Sequence, residues 1–140
     1  MRNAGIFTIL LLVIFLSCKK TNYSSVPNLT FKTVNTTVLS RNQSIQFSFD
    51  FTDQEGDLDS IYISKIIPNC PTGFIPFSAL AVPSFPSGHN KGTVLVTLQY
   101  SQISPQCPPQ NDTATFKFLL KDKAQHLSDT AVAPTIIILN

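Results

Sequence analysis

The chain has 140 residues, a formal net charge of +2 and a hydrophobic share of 43%. That length is enough for one domain with its own core, without metals or several disulfides to stabilise it. The near-neutral charge excludes the basic surface that nucleic-acid binding requires, so we expect no nucleic-acid partner.

The first eighteen residues form a distinct segment, in which Arg2 precedes an apolar run over residues 6–16 and Ser17 and Cys18 follow. The run is shorter than the ~20 residues that a transmembrane helix needs, and it has the length of the apolar part of a secretory signal. We therefore predict that the chain is exported and that residues 1–17 are removed. The alternative is an ordinary secretory peptide that is cleaved elsewhere, with Cys18 incidental.

The stretch FLSC at 15–18 resembles the lipobox of bacterial lipoproteins, in which a small residue precedes the cysteine that receives the lipid. Phe15 and Leu16 depart from the usual residues of that pattern. The resemblance implies that Cys18 carries a diacylglyceryl thioether and an N-acyl chain, which together would anchor the protein stably in a membrane. Residue 20 is Lys where some enteric lipoproteins have an inner-membrane retention Asp, which favours the outer membrane.

Residues 18–27 are polar and lack periodicity, so we predict a lipidated N-terminus and a flexible tether before a domain over residues 28–140. In Ile45–Phe51 every second residue is apolar, which is the pattern of a half-buried strand. Six further segments have strand character, one of them interrupted by Pro76: Leu29–Val34, Ile61–Ile67, Phe74–Val82, Thr93–Tyr100, Ala114–Leu120 and Thr135–Leu139. No segment has helical spacing, so we expect essentially no helix.

Seven strands between turn-rich loops predict an all-β fold, an immunoglobulin-like antiparallel β-sandwich of about seven strands. With immunoglobulin connectivity, the loops at residues 52–60 and 121–133 lie at one end of the sandwich. Cys70 and Cys107 then lie at the opposite end, each directly before a proline. In an oxidising compartment this even pair predicts a disulfide that staples two loops, the alternative being two buried free thiols.

The loop that follows the clearest strand is acidic, with Asp53, Glu55, Asp57 and Asp59 at alternate positions and a glycine between them. Carboxylate oxygens are the ligands that Ca²⁺ prefers, and Asp122 from the loop at the same end could add another. We therefore regard these five residues as candidate calcium ligands. The alternative is a turn whose Asp side chains accept hydrogen bonds from backbone N–H groups.

The run FSFDFTDQEGDLDSIYI and the later TFKFLLKDKAQHLSDT resemble a group of small Bacteroidetes lipoproteins that share an F-x-F-x-F-x-D-x-(D/E)-G-D motif. The resemblance implies an immunoglobulin-like domain in the cell envelope, without an assigned activity. The second motif departs from that group at Gln125-His126, where Gly-Asn is usual, and this weakens the case for a left-handed residue there. The segment after Cys18 has no Lys-acidic surface-export signal, which favours the periplasmic face.

The same resemblance implies O-glycosylation at Asp-(Ser/Thr)-apolar triplets. Three such triplets place the acceptor hydroxyl on Ser60, Thr113 and Thr130. The alternative is that these matches are incidental, because each triplet adjoins a strand where such residues suit a turn.

Catalysis has little support in the sequence. His89 and His126 lie in predicted loops without a neighbouring nucleophile, and no hydrolase or metalloprotease motif is present. We therefore expect a non-enzymatic, membrane-anchored module that binds an envelope protein or glycan. The alternative function is a calcium-stabilised adhesion or structural domain, and no other cofactor is expected.

Overall fold

The structure is a computed structural model that describes residues 23–68, 70, 74–81, 89–107 and 109–140. The described residues form nine strands and one short helix: β1 (Asn28–Val34), β2 (Val38–Leu39), β3 (Ser44–Thr52), β4 (Leu58–Ile66), β5 (Phe74–Ala81), β6 (Lys91–Gln99), α1 (Tyr100–Ile103), β7 (Asp112–Asp122), β8 (Ala131–Val132) and β9 (Ile136–Ile138).

The strands form two sheets that pack as a sandwich. One sheet has the order β1-β3-β6, and the other has the order β2-β9-β7-β4-β5, with β8 paired to β7. All pairs are antiparallel except that of β2 and β9, which is parallel. The predicted all-β sandwich with immunoglobulin-like connectivity is confirmed.

All seven predicted strands are present. Their observed ends differ from the predicted ends by at most three residues, and only the predicted end at Val82 lies outside the described residues. The sequence pattern missed β2 and β8, because a strand of two residues is too short to show alternation. It also missed α1, a single turn in which the Gln99 N–H donates to Oε1 of Gln102 at 2.7 Å. Within the described part of the chain, no helix has the length and hydrophobicity needed to cross a bilayer.

Phenylalanine rings fill the space between the sheets. Phe47 and Phe49 of β3 lie with their ring centroids 5.0 and 4.5 Å from that of Phe118 on β7, and Phe47 also contacts Phe116 at 5.4 Å. All four side chains are fully buried. Because β3 and β7 belong to different sheets, these contacts are what join the two layers.

Strand β5 contains the proline that the sequence pattern flagged as an interruption. Pro76 lies where the register between β4 and β5 shifts, since Ile63 pairs with Ser78 but Lys65 pairs with Ile75. β5 is also an edge strand, with β4 as its one neighbour in the sheet order. Proline is tolerated at such bulges and edges because its missing N–H breaks no internal ladder.

The two ends of the sandwich carry the features that the connectivity predicted. Cys70 and Cys107 form a disulfide beyond the end of β4, which confirms the predicted staple. Closing a loop of 37 residues stabilises the fold by about 4 kcal/mol in the chain-entropy account. At the other end, Asn28 at the start of β1 pairs with Thr52 at the end of β3, so the chain enters the domain beside the acidic loop.

A buried ion pair that we did not predict lies next to the disulfide. Lys65 Nζ donates to Asp112 Oδ2 at 3.0 Å and to the carbonyl oxygens of Ile103 and Ser104 at 3.0 and 3.1 Å. The side chains of Lys65 and Asp112 are 2% and 0% exposed. Burial lowers the pKa of Lys65, and the Asp112 carboxylate opposes that shift.

Asp112 also accepts from the backbone of the segment that leads to the disulfide, through the N–H groups of Gln106 at 2.8 Å and Cys107 at 3.3 Å. The pair therefore joins β4, β7 and the connection after α1 into one unit. The sequence carried a signal for this, because Lys65 continues the alternation of Ile61 and Ile63 and so occupies a core position.

Replacing Lys65→Met should lower the free energy of unfolding by about 3–5 kcal/mol, because the Asp112 carboxylate would be left buried without its counter-charge. Denaturant unfolding of the purified variant measures this. Lys32→Met is the matched control: Lys32 pairs with Asp50 at 3.0 Å, but both side chains are about half exposed, and solvent screens such a pair so that its loss should change stability much less. Equal effects of the two substitutions would contradict this account.

Candidate functional site

The acidic loop between β3 and β4 is held by backbone contacts from three other segments. The Asp53 N–H donates to the Asn90 carbonyl at 2.8 Å, and the Lys123 N–H donates to the Asp57 carbonyl at 3.1 Å. The Gln54 N–H donates to the Ser24 carbonyl at 3.0 Å. The loop is therefore built into the end of the sandwich and has a defined shape.

Gly56 allows the loop to turn. Its φ is +66°, a conformation that side chains disfavour. A Cβ at this position would lie 2.8 Å from the His89 carbonyl oxygen, so the close approach of two backbones also requires glycine.

Three of the five predicted calcium ligands lie together. Carboxylate oxygens of Asp53, Glu55 and Asp57 are all within 4.8 Å of one another. Asp53 is fully buried, Asp57 is partly buried and Glu55 is exposed. Oδ2 of Asp53 accepts from the Asp57 N–H at 3.1 Å, which is the capped turn that the alternative interpretation required.

The capped turn leaves two of the carboxylate oxygens in this cluster without hydrogen-bond partners among the described residues. Among the described residues, neither Oδ1 of Asp53 nor Oδ1 of Asp57 has a hydrogen-bond partner, although both atoms are buried. Burial raises the pKa of Asp53, the Asp57 and Gly56 amides oppose this, and the negative charges of Asp57 and Glu55 add to it.

The other two predicted ligands lie outside this group and are held by basic side chains. Asp59 Oδ2 accepts from Ser60 at 3.1 Å and lies 3.5 Å from Lys121 Nζ. Both oxygens of the buried Asp122 carboxylate accept from His126, from its backbone N–H and from Nδ1, each at 2.8 Å. The candidate ligand set is therefore reduced from five residues to three, because Asp59 and Asp122 are used within the fold.

The loop after β7 contains a residue in the left-handed conformation, at the position where Gln125-His126 had weakened the case for one. Gln125 has a φ of +74° although it is not glycine. Its N–H donates to the Asp122 carbonyl at 3.2 Å, and the next residue, His126, bonds to the Asp122 side chain. The loop therefore folds around Asp122. The hydrogen bonds to Asp122 help to hold Gln125 in a conformation that glycine would adopt more easily.

His126 lies in a loop, as the sequence predicted, and it is also a point of contact between segments. Its side chain is 46% exposed and contacts Asp122. The hydrogen bond that the His126 ring donates to Asp122 raises the pKa of His126 most, the Asp122 charge raises it further, and partial burial opposes the shift. The Ser25 backbone and the Glu55 charge raise the pKa further, so His126 lies where the N-terminal segment and both acidic-end loops meet.

The predicted modification sites differ in accessibility. Cys18, the signal peptide and the first part of the tether lie outside the described residues. From residue 23 the predicted tether is joined to the domain, because Ser24 bonds to Gln54 and Pro27 is buried. Of the three triplet hydroxyl residues, Ser60 is buried and bonded to Asp59, whereas Thr113 and Thr130 are exposed.

No family model and no curated protein matches the chain. Among solved structures it is similar to the sporulation control protein Spo0M of Bacillus subtilis, with a TM-score of 0.48, 6% identity, and coverage of 84% of this chain and 51% of that one. It is also similar to the alkylpurine DNA glycosylase AlkC of Pseudomonas fluorescens, with a TM-score of 0.46, 10% identity, and coverage of 84% and 32%.

A third similar structure is the CARDB domain of a Pyrococcus furiosus protein, with a TM-score of 0.38, 9% identity, and coverage of 88% and 97%. The chain spans about half of Spo0M and a third of AlkC. None of these likenesses bears on function, because identity is between 6% and 10%.

Replacing Gln125→Gly should raise the free energy of unfolding by about 1 kcal/mol, because glycine adopts a positive φ without the steric penalty that other residues incur. Thermal or denaturant unfolding measures the change. Ala124→Gly is the matched control, since Ala124 is adjacent and does not have a positive φ. A destabilised Gln125→Gly variant would show that the side-chain contacts of Gln125 outweigh the strain.

Removing the imidazole in His126→Gln should destabilise the protein more at pH 5.5 than at pH 8.5. A raised pKa means that folding favours the protonated ring, and this stabilisation is complete below the ordinary pKa of 6.5 and is lost as pH rises through the folded value. Unfolding of both proteins at the two pH values, in the presence of chelator, measures the difference. The same loss of stability at both pH values would contradict this assignment.

Proposed function

We propose that this chain is a lipid-anchored, non-enzymatic module of the bacterial outer membrane that faces the periplasm and binds or supports an envelope protein or glycan. The observation that carries the proposal is the joining of the N-terminal segment to the acidic end, through the Gln54 N–H and the Ser24 carbonyl. Five residues separate Cys18 from Ser24, and the six residue steps between them span about 22 Å at most.

This short span has a consequence for orientation. With lipid on Cys18, the acidic end of the sandwich would stay close to the head groups, and the Cys70–Cys107 end would project away from the membrane. Lys19 and Lys20 would lie against anionic head groups. The disulfide-closed end is then the part of the module that is available to a partner.

The non-enzymatic part of the proposal is supported by how the fold uses its polar side chains. Lys65 is held by Asp112 and two carbonyl oxygens in the interior. The ring of His126 is bonded to Asp122. A general base needs an atom that can accept a proton from the substrate, and a general acid needs a proton to donate to it, whereas these groups are used to hold loops together.

Replacing Cys18→Ala in the full-length protein should move it from the membrane fraction to the soluble fraction of cells, because the substitution removes the lipid attachment atom. Immunoblotting of the two fractions measures this. Intact mass of the wild-type mature protein should equal residues 18–140 plus lipid, with any further mass assigned to glycan on Thr113 or Thr130.

Lys20→Ala is the control, since it lies two residues away and leaves the cysteine in place. A wild-type protein without lipid mass, or a Cys18→Ala variant that stays membrane-bound, would overturn the anchoring proposal.

A further inference from the structure

The described residues contain a group of three carboxylates that the fold assembles without neutralising. Elsewhere, each of four carboxylates lies beside a basic side chain: Asp50 beside Lys32, Asp59 beside Lys121, Asp112 beside Lys65 and Asp122 beside His126. Asp53, Glu55 and Asp57 are instead placed beside one another, with oxygens within 4.8 Å. Placing like charges this close is unfavourable unless something positive lies between them.

The buried carboxylate of Asp53 has an oxygen that a positive group could contact. Its side chain is fully buried, and Oδ1 has no partner among the described residues while Oδ2 accepts the Asp57 N–H. A buried carboxylate oxygen without a partner is unfavourable, so such atoms generally bind a proton, a water or an ion. The buried, unpartnered Oδ1 of Asp57 belongs to the same group.

We propose that Asp53, Glu55 and Asp57 bind one divalent cation, with calcium as the preferred ion. Oxygen ligands of calcium lie about 2.3–2.6 Å from the ion, so two ligands of one ion are at most about 5 Å apart, and the observed separation satisfies this limit. Three carboxylates on one short loop, with the remaining positions open to water, suit calcium better than magnesium, which demands near-ideal octahedral geometry.

The loop is organised before any ion binds. Gly56 fixes the turn between the second and third ligands, and contacts from Asn90 and Lys123 hold its two ends. Glu55 is exposed, so one of the three carboxylates is in contact with solvent. With three protein ligands we expect a dissociation constant of about 10⁻⁴–10⁻³ M, the range of extracellular calcium modules.

The site also lies beside the N-terminal segment, since Gln54 is bonded to Ser24. An ion on this loop would therefore stabilise the junction between the domain and its N-terminal segment. This inference does not rest on the lipid-anchor proposal, because it uses only described residues of the domain.

The test is thermal unfolding of the purified full chain at pH 7 in chelator and in 0.1–10 mM CaCl₂, with MgCl₂ in parallel. The melting temperature should rise with calcium, because an ion that binds only the folded state stabilises it by mass action. Glu55→Gln and Asp57→Asn should each weaken the apparent calcium affinity at least tenfold. Asp59→Asn, in the same loop but outside the group, should keep the wild-type response.

The Asp53→Asn variant distinguishes the contribution of ion binding to stability from that of the hydrogen-bonded turn. Asparagine keeps an oxygen to accept the Asp57 N–H but removes the charge. The variant should be at least as stable as the wild type in chelator and less stable in calcium, so that the order of stability reverses. Absence of a calcium shift at 10 mM, or a shift that persists in Glu55→Gln and Asp57→Asn, would overturn the proposal.

Discussion

The packing of phenylalanines from β3 against those from β7 sets the geometry on which the other features depend. Phe47 and Phe49 contact Phe118 across the two sheets at 5.0 and 4.5 Å. A shift of either strand by one residue would turn these rings to the outer face, so the contact fixes the register of both strands. Once the register is fixed, Leu58 pairs with Asp122, and the loops that follow β3 and β7 must meet at one end.

The two ends of the sandwich are then stabilised by different chemistry. At one end, the Cys70–Cys107 disulfide and the buried Lys65–Asp112 pair join three segments in the interior. At the other end, backbone hydrogen bonds and the buried carboxylates of Asp53 and Asp122 hold the loops, and Glu55 and Asp59 are exposed beside them. Buried, paired groups resist changes in solution conditions, whereas partly exposed ones titrate and bind ions. The acidic end therefore presents exposed carboxylates to solvent, whereas the charged pair beside the disulfide is enclosed in the interior.

The sequence predicted which loop holds the candidate site, but not which of its carboxylates lie together. Alternating acidic residues around Gly56 identified the loop, because hard oxygen ligands and a flexible turn are what an ion site needs. Asp59 and Asp122 carried the same signal and yet lie outside the group, since Lys121 and His126 hold them instead. Which carboxylate finds a basic neighbour depends on cross-strand and loop contacts, and those are set by residues far apart in the chain.

The sequence by itself determined the seven main strands, the all-β class, the disulfide and the end at which the acidic loop lies. The strands and the class follow from period-two alternation, the disulfide from an even pair of cysteines, and the position of the acidic loop from the connectivity expected for seven strands. Only the tertiary structure decided that Lys65 forms an ion pair with Asp112 in the core and that Gln125 adopts a positive φ. It also decided that Asp53 is buried with an unpartnered oxygen. Each of these depends on which groups from distant segments fill the space around a side chain, and no local pattern encodes that.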